Sequence, residues 1–352
     1  MSRLRYWHPV LVANDLPKDR PVGVRVAGRD LALFRTKDGG LGALEDKCVH
    51  RRLKLSVGKV VENKLRCAYH GWSFTTAGEG ESPGTPKLHA CAKSYACAEA
   101  YGAIWVRERD GEQALPDLIQ GYEGWCFAGC VINPIKAPLA LLLDNFAEVE
   151  HTVAVHPQFG IEISQASKAV LELETTDDTF TAVNYGPSKP PPLATRVMAW
   201  TWAGDNFHSD YTFRFDPPRS SVTHYWMNPR TRRERMAKYH LYHYFVPIDD
   251  KNSMVVTFGH LHSRWPGMNW ITQRMGWFVR KKIKSTIDED AWLLENMADY
   301  DTGIEGMKLS RFDKVLGLTR ERLARIYSEA PAEACAMGGA DCQRQDRCSA
   351  QP

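Results

Sequence analysis

No apolar run in this sequence is long enough to cross a bilayer. The most apolar stretch, residues 131–143, is interrupted by two prolines and a lysine, and a spanning helix needs about 20 consecutive apolar residues. Residues 1–9 also lack the apolar core of a signal peptide. The expectation is a cytoplasmic chain without membrane insertion. An excess of one charge is missing as well, since 45 Lys and Arg face 42 Asp and Glu for a net +3. That balance excludes a broad nucleic-acid footprint and leaves room only for local basic patches. There is no internal repeat, and the Gly-x-Gly within the expected loop Gly78 to Pro86 lacks the strand-to-helix setting of a phosphate-binding turn. Nine cysteines without a secretory signal point to thiols and metal ligands rather than a disulfide framework. Cys91, Cys97, Cys126 and Cys130 read as ordinary thiols. Cys335, Cys342 and Cys348 have neither histidines nor a short paired spacing, which argues against zinc.

At 352 residues and 43% hydrophobic content, the chain can bury the cores of two ordinary domains. Short β-branched runs at residues 22–35 and 41–45, separated by Asp-Gly-Gly, predict antiparallel hairpins, and this texture continues to about residue 106. Residues 139–155 read as helical, 170–261 as several aromatic-rich strands, and 270–300 as a second helical region. Beyond Pro331 the composition is that of a mobile tail. The expected organisation is a first domain at 1–115 whose all-β core spans about 40–110, a larger α+β domain at 116–330, and a tail at 331–352.

The strongest chemical signal is Cys48-Val-His50 and, after sixteen intervening residues, Cys67-Ala-Tyr-His70. Two thiolates and two imidazoles suit a [2Fe-2S] cluster in which sulfur holds one iron and nitrogen the other. Neutral imidazole in place of thiolate makes such a cluster easier to reduce. A tetrahedral zinc site is the alternative, since the same donor set serves zinc. Four unrelated core residues is the other. Zinc fingers, however, pair Cys with Cys and His with His, whereas each loop here mixes the two.

A second constellation runs from Asp144 to Pro157. Asn145, Glu148 and His151 are three residues apart and would share one helical face. His156 follows His151 by five residues, about 140° around an ideal helix, so both imidazoles reach one metal only where the helix ends or kinks. Two histidines on an otherwise apolar helix can also be purely structural.

Cys48-Val-His50-Arg51 with Leu55-Ser56-x-Gly58, followed by Cys67-Ala-Tyr-His70-Gly71-Trp72, resembles the Rieske module of ring-hydroxylating Rieske non-heme iron oxygenases of the alpha-only type. Asn145-x-x-acid-x-x-His151-x4-His156 is similar to the mononuclear iron motif of the same family. The resemblance implies an α+β fold: an antiparallel β Rieske [2Fe-2S] domain inserted in a helix-grip, START-like catalytic domain with a curved antiparallel sheet. It implies that Cys48 and Cys67 hold one cluster iron and His50 and His70 the other. His151 and His156 then ligate a mononuclear Fe(II), a facial triad that leaves positions open for O2.

The third ligand lies in Asp288-Glu289-Asp290, where the family pattern selects Asp290; Asp288 and Glu289 then read as solvated acids. Glu148 stands where many relatives have Asp, so the resemblance gives it the electron-transfer bridge between a Rieske histidine of one subunit and His151 of the next. Asp144 and Glu150 are less well placed for that role. The implied enzyme is an O2-dependent terminal oxygenase, forming homotrimers and catalysing hydroxylation or oxidative demethylation of a small apolar or aromatic molecule. Electrons come from NAD(P)H through a ferredoxin or a flavin/iron-sulfur reductase. Cis-dihydroxylation or desaturation, or a Rieske electron-transfer protein without oxygenase chemistry, are the alternatives.

His260 and His262 alternate on an expected strand and read as half-buried rather than metal-binding. Arg51, Arg52, Lys54 and Lys59 surround the cluster loops, fitting either an acidic electron donor or a solvated rim. Met198, Trp200 and Trp202, and likewise Tyr211, Phe213 and Phe215, share a face on period-two counting. Core filling is the expected role of most of them.

Overall fold

The computed structural model describes residues 4–327 except Glu112, Pro266, Met268, Asn269, Ile271, Thr272 and Met275. The expected tail and its three cysteines lie outside the described residues. Two compact units divide at Leu115 and Pro116.

The first unit is built from eleven short strands: β1 (His8–Val12), β2 (Val22–Val26), β3 (Arg29–Arg35), β4 (Leu41–Glu45), β5 (Lys59–Val61), β6 (Lys64–Arg66), β7 (Ser73–Phe74), β8 (Glu79–Glu81), β9 (Ala90–Cys91), β10 (Ser94–Ala100) and β11 (Ala103–Arg107). They form a six-stranded sheet ordered β1-β11-β10-β4-β3-β2 and a five-stranded sheet β5 to β9 in sequence order. The α+β class holds, and this unit takes in strands upstream of the all-β core expected at 40–110. The reason is pairing, because Leu31 faces Glu45 and Leu33 faces Ala43, and β1 zips onto β11. Strands before residue 40 thus complete the small unit's own sheet. The glycine-rich stretch expected as loop also contributes β8, and Gly78 at φ +93 lies where an added Cβ would meet the Ala92 carbonyl oxygen at 2.0 Å. Phe34, Leu44, Leu55, Leu65 and Phe74 are fully buried around Cys48 and Cys67. Cys91, expected as an ordinary thiol, is disulfide-bonded.

In the second unit seven antiparallel strands are ordered β12-β18-β17-β16-β15-β14-β13. Their ranges are β12 (Cys126–Ile135), β13 (Val170–Thr175), β14 (Thr179–Pro187), β15 (Asn206–Phe215), β16 (Pro218–Met227), β17 (Glu234–Pro247) and β18 (Ser253–Ser263). Helices α1 (Leu139–Ala147), α2 (Leu193–Ala199), α3 (Gly276–Glu295) and α4 (Leu316–Tyr327) complete it. Helix α3 lies against the β12 and β18 end of the sheet, the helix-grip arrangement. Gly259 permits that approach, since a Cβ there would meet Ile283 Cδ1 at 2.7 Å. Arg280 donates to the Ala128 carbonyl at 2.8 Å and Asn133 Nδ2 to Asp288 Oδ1 at 2.6 Å, which fixes the helix along β12. Ile287, Asp290 and Leu294 are its buried face. Each aliphatic side chain stabilises the docking by about 1.5–3 kcal/mol, and the packing carries Asp290 inward with it.

Two local readings change. The first helix stops at Ala147, and Glu148 is extended (φ −97, ψ 158) ahead of a 3-10 turn at Glu150–Val153. The second helix, described over Gly276–Glu295, ends before residue 300, with its three acids in its later turns. Met198 falls in α2 rather than a strand, with its side chain outside the described residues. Trp200 is the left-handed residue that ends α2.

Candidate functional site

In the first unit two loops repeat one device. The Arg52 N–H donates to the Cys48 carbonyl at 2.8 Å, and the Gly71 N–H donates to the Cys67 carbonyl at 3.2 Å. Each turn closes on a residue with positive φ, Arg52 at 61° and Gly71 at 77°. Return bonds from the Cys48 N–H to Leu53 O (2.8 Å) and from the Cys67 N–H to Trp72 O (2.7 Å) bury both thiols. His50 and His70 stand on the exposed rim with ring centroids 4.5 Å apart, and His50 stacks on Trp72 at 5.0 Å. Burial pushes the Cys48 thiol up, the His50 backbone draws it down, and the neighbouring Cys67 thiol raises it again. Coordination of a metal as thiolate relieves that crowding.

The four side chains form a deep sulfur pair and an outer nitrogen pair. Among the described residues their donor atoms do not gather as a single-ion group. One tetrahedral zinc ion needs all four to converge, whereas a two-iron cluster takes sulfur at one iron and nitrogen at the other. The donor set fits the cluster. Arg51, Arg52, Lys54 and Lys59 are all exposed around it.

In the second unit the described residues contain one group able to hold a metal ion: His151, His156 and Asp290, whose ligand atoms all lie within 4.8 Å of one another. Asp290 Oδ1 is 3.4 Å from Nε2 of each histidine. Two donors at that spacing can share a first-row ion bound at about 2.0–2.2 Å. The helix break resolves the 140° mismatch between the two imidazoles. Glu148 makes the break by accepting the backbone N–H groups of Glu150 and of His151 (3.1 Å) with its carboxylate, as an N-cap does.

The same carboxylate accepts from His151 Nδ1 at 2.6 Å, while Glu289 Oε2 accepts from His156 Nδ1 at 2.8 Å. Both imidazoles are thereby fixed as Nδ1–H tautomers with Nε2 free toward Asp290. Asn145 Nδ2 donates to Asp290 Oδ1 at 3.2 Å. Burial works against ionisation of Asp290, but His156, His151 and Asn145 hold it below the usual carboxylate range. For His151, burial lowers and Glu148 and Asp290 raise, with a net upward direction.

Sequence reasoning missed three members of this arrangement. Glu289 grips His156 rather than facing solvent. Gln158 steadies Glu289 at 3.2 Å while also donating to Thr286 Oγ1 at 2.8 Å. Lys189, from the turn after β14, donates to the carbonyls of Thr152 (2.9 Å), Val153 (3.2 Å) and His156 (2.6 Å), tying down the loop that carries both histidines. Its only sequence signal was a lysine inside Ser-Lys-Pro-Pro-Pro. Asp144 and Glu150 are engaged elsewhere, with Arg320 and with Ser310.

The three donors open on a cavity of about 80 Å³ whose sheet wall includes Tyr211, Phe213, His224 and His243. A second cavity of about 240 Å³ shares Phe159, His224 and Leu241 with it and continues between the sheet and α3. Burial holds the His224 and His243 imidazoles neutral, at about 3 and about 4. The His260 and His262 rings stack on Tyr122 and Trp125, away from the face that carries Tyr239 and Leu241, although His260 also borders the larger cavity.

A family model described as the Rieske [2Fe-2S] domain matches residues 6–96, and the vanillate O-demethylase oxygenase C-terminal domain matches residues 135–327, more than half of the chain. The chain belongs to the Rieske non-heme iron oxygenases. Membership brings a Rieske cluster and a mononuclear iron, with O2 as co-substrate. This oxygenase is 25% identical over 325 residues to 4beta-methylsterol monooxygenase of Methylococcus capsulatus, covering 82% of this chain and 79% of that protein. It is 27% identical to Protein TIC 55 of Arabidopsis thaliana over 183 residues, 49% of this chain and 34% of that one. It thus matches only about a third of that relative's length. A solved structure of dicamba monooxygenase bound to 3,6-dichlorosalicylic acid superposes with a TM-score of 0.75 at 18% identity, covering 93% and 98% of the two chains, a likeness of fold. No described helix is long and apolar enough to cross a membrane.

Proposed function

We propose that the chain is a terminal oxygenase carrying out O2-dependent mono-oxygenation, a hydroxylation or an oxidative demethylation, of an uncharged and predominantly apolar molecule. The observation that carries this reading is the convergence of His151, His156 and Asp290 on a small cavity that shares lining residues with a larger, mainly apolar one. Cys48 and Cys67 take one cluster iron and His50 and His70 the other; His151, His156 and Asp290 take the mononuclear iron. When bound, the cluster supplies single electrons and the mononuclear iron activates O2.

The chain's own residues do the positioning. Glu148 and Glu289 orient the two imidazoles, Asn145 holds the Asp290 carboxylate, and Lys189 keeps the histidine loop closed. Leu241, Tyr239, Trp226 and Ile283 exclude water from the cavity, and neutral His224 offers its wall a polar contact. Among the described residues neither cavity is lined by an arginine, and the lysine there, Lys282, is exposed. An anionic substrate would therefore meet Glu148 and Asp290 without a buried cation to offset them, which favours an uncharged one.

Electrons reach the cluster from NAD(P)H through a ferredoxin or a flavin/iron-sulfur reductase that the exposed basic residues Arg51, Arg52, Lys54 and Lys59 would attract. A homotrimer completes the route, with Glu148 bridging His151 to a Rieske histidine of the neighbouring protomer. The test is iron analysis together with turnover under a generic reductase. Three irons per chain and an oxygenated product are expected; two irons in a fully loaded sample, with no O2 consumption coupled to substrate, would reduce the protein to an electron carrier.

A further inference from the structure

Tryptophan is ordinarily among the more buried side chains, yet Trp200, Trp202, Trp265, Trp270 and Trp277 are each between 38% and 61% exposed. Three of them gather. Trp200 lies 6.4 Å from Trp202 and 5.2 Å from Trp265 between ring centroids, and Leu193 and Val197 add an exposed apolar edge one turn apart on α2. Trp277 stands on the first turn of α3.

The exposed charge beside these indoles is mainly basic, and the acids nearby are paired: Asp205 accepts the Trp202 N–H at 2.7 Å and binds Arg235, while Glu234 binds Arg264 and Lys238. Residues 179–204, which hold Trp200 and Trp202, contain no Asp or Glu. Residues 251–287, which hold the other three, contain none either, against seven Lys and Arg. Arg196, Lys281 and Lys282 are exposed in these segments. The balanced charge of the whole chain conceals this local bias.

The larger cavity reaches the surface at the same place. Its lining includes exposed Pro192 and half-buried Thr195 from the α2 side and Phe278, Val279 and exposed Lys282 from the α3 side. The residues next to these in sequence are the exposed Leu193, Arg196 and Trp277. An apolar passage with an indole rim and exposed Arg196, Lys281 and Lys282 beside it matches a lipid–water interface, where indoles sit at headgroup level and Lys and Arg meet anionic headgroups. Each basic side chain near such a surface contributes about 1 kcal/mol.

We propose that this face docks on an anionic phospholipid surface, from which the apolar substrate passes directly into the cavity. Docking here is peripheral and needs no spanning segment. The inference rests on the apolar-substrate part of the proposed function, but its test does not depend on turnover. Iron-loaded full-length protein is sedimented with vesicles containing phosphatidylglycerol and with vesicles of phosphatidylcholine alone. Binding to the anionic vesicles is expected, weaker by about tenfold or more on phosphatidylcholine alone or at high salt.

The variants Trp202→Ser/Trp277→Ser and Arg196→Glu/Lys281→Glu should each lose about tenfold or more in vesicle affinity while keeping wild-type iron content and circular dichroism. Absence of binding to anionic vesicles overturns the proposal, as do variants that bind like wild type. A light-scattering mass that falls to a smaller assembly in the tryptophan variant would assign the face to a second copy of the chain instead, and equally overturn it. Vesicle binding in a protein that holds only two irons would leave this inference standing while the oxygenase reading falls.

Discussion

Removing the Glu289 carboxylate tests whether the proposed mononuclear site is preorganised by its surroundings or only by its three proposed ligands. Glu289 is one residue from Asp290 on α3, yet it meets the metal group from the far side, accepting from His156 Nδ1 at 2.8 Å. An anionic acceptor on Nδ1–H fixes the tautomer and makes Nε2 a stronger donor. Loss of such a partner costs about 10–100-fold in metal affinity, about 1.4–2.7 kcal/mol at 1.36 kcal/mol per decade. Glu289→Gln keeps an acceptor oxygen, so it should fall near the tenfold end, and Glu289→Ala near the hundredfold end. Gln158 donates to the same carboxylate, so Gln158→Ala loosens Glu289 without removing it and should cost only a few-fold. The assay is Fe(II) titration against a chelator, with the cluster absorbance as internal control. An unchanged Fe(II) affinity in Glu289→Ala would refute the reasoning, because His156 would then be held by its loop alone.

Asp290→Ala is expected to lose the mononuclear iron and keep the cluster spectrum; normal iron content and turnover would remove Asp290 from the ligand set. Lys189→Met leaves three carbonyls of the histidine loop without their shared cationic donor, and charged hydrogen bonds contribute about 1.5–3 kcal/mol each without adding fully. A loss of roughly 2–4 kcal/mol in unfolding free energy, with faster amide exchange at residues 152–156, is the expected result, and exchange like wild type counts against the tie. For pH, burial lowers His8 to about 4 despite the Tyr6 carbonyl, whereas the unfolded chain binds that proton near 6.5. The folded pKa is the lower one, so the stability is fully present above pH 6.5 and drains away as pH falls toward 4. By pH 5 the loss is about 2 kcal/mol. Urea midpoints of wild type and His8→Gln should converge on acidification, and parallel curves would show that His8 is not held neutral.

The cluster site was legible because each loop is contiguous: Cys48 with His50 and Cys67 with His70 need only a local turn to come together. The partners that orient the mononuclear site were not. Glu289 and Lys189 reach His156 across 133 and 33 residues, and Gln158 reaches Glu289 across 131, through tertiary packing, and no periodicity encodes that. The end of α1 was half legible, since the five-residue step from His151 to His156 demanded a break, but no glycine or proline marks it before Pro157. Met198, Trp200 and Trp202 misled because alternating apolar residues mimic a strand. The structure instead runs a short helix into a left-handed Trp200 and turns two of those indoles outward. Tyr211, Phe213 and Phe215 were read correctly as core, and the first two also wall the cavity.

Glu148 shows why an acid one methylene longer than aspartate suits this loop. Its backbone is extended, and its carboxylate must cap two N–H groups while also meeting an imidazole three residues on. Aspartate is itself a good cap, so Glu148→Asp should preserve the 3-10 turn and the iron content. Its carboxylate would be drawn back toward the backbone, however, and the 2.6 Å contact with His151 Nδ1 would lengthen or take in a water. If Glu148 carries the electron between protomers, single-turnover oxidation of the reduced cluster should slow in Glu148→Asp and slow further in Glu148→Gln, with three irons retained in both. A Glu148→Asp protein with the wild-type single-turnover rate would show that the cap alone explains the residue. The electron would then have to reach His151 by another path.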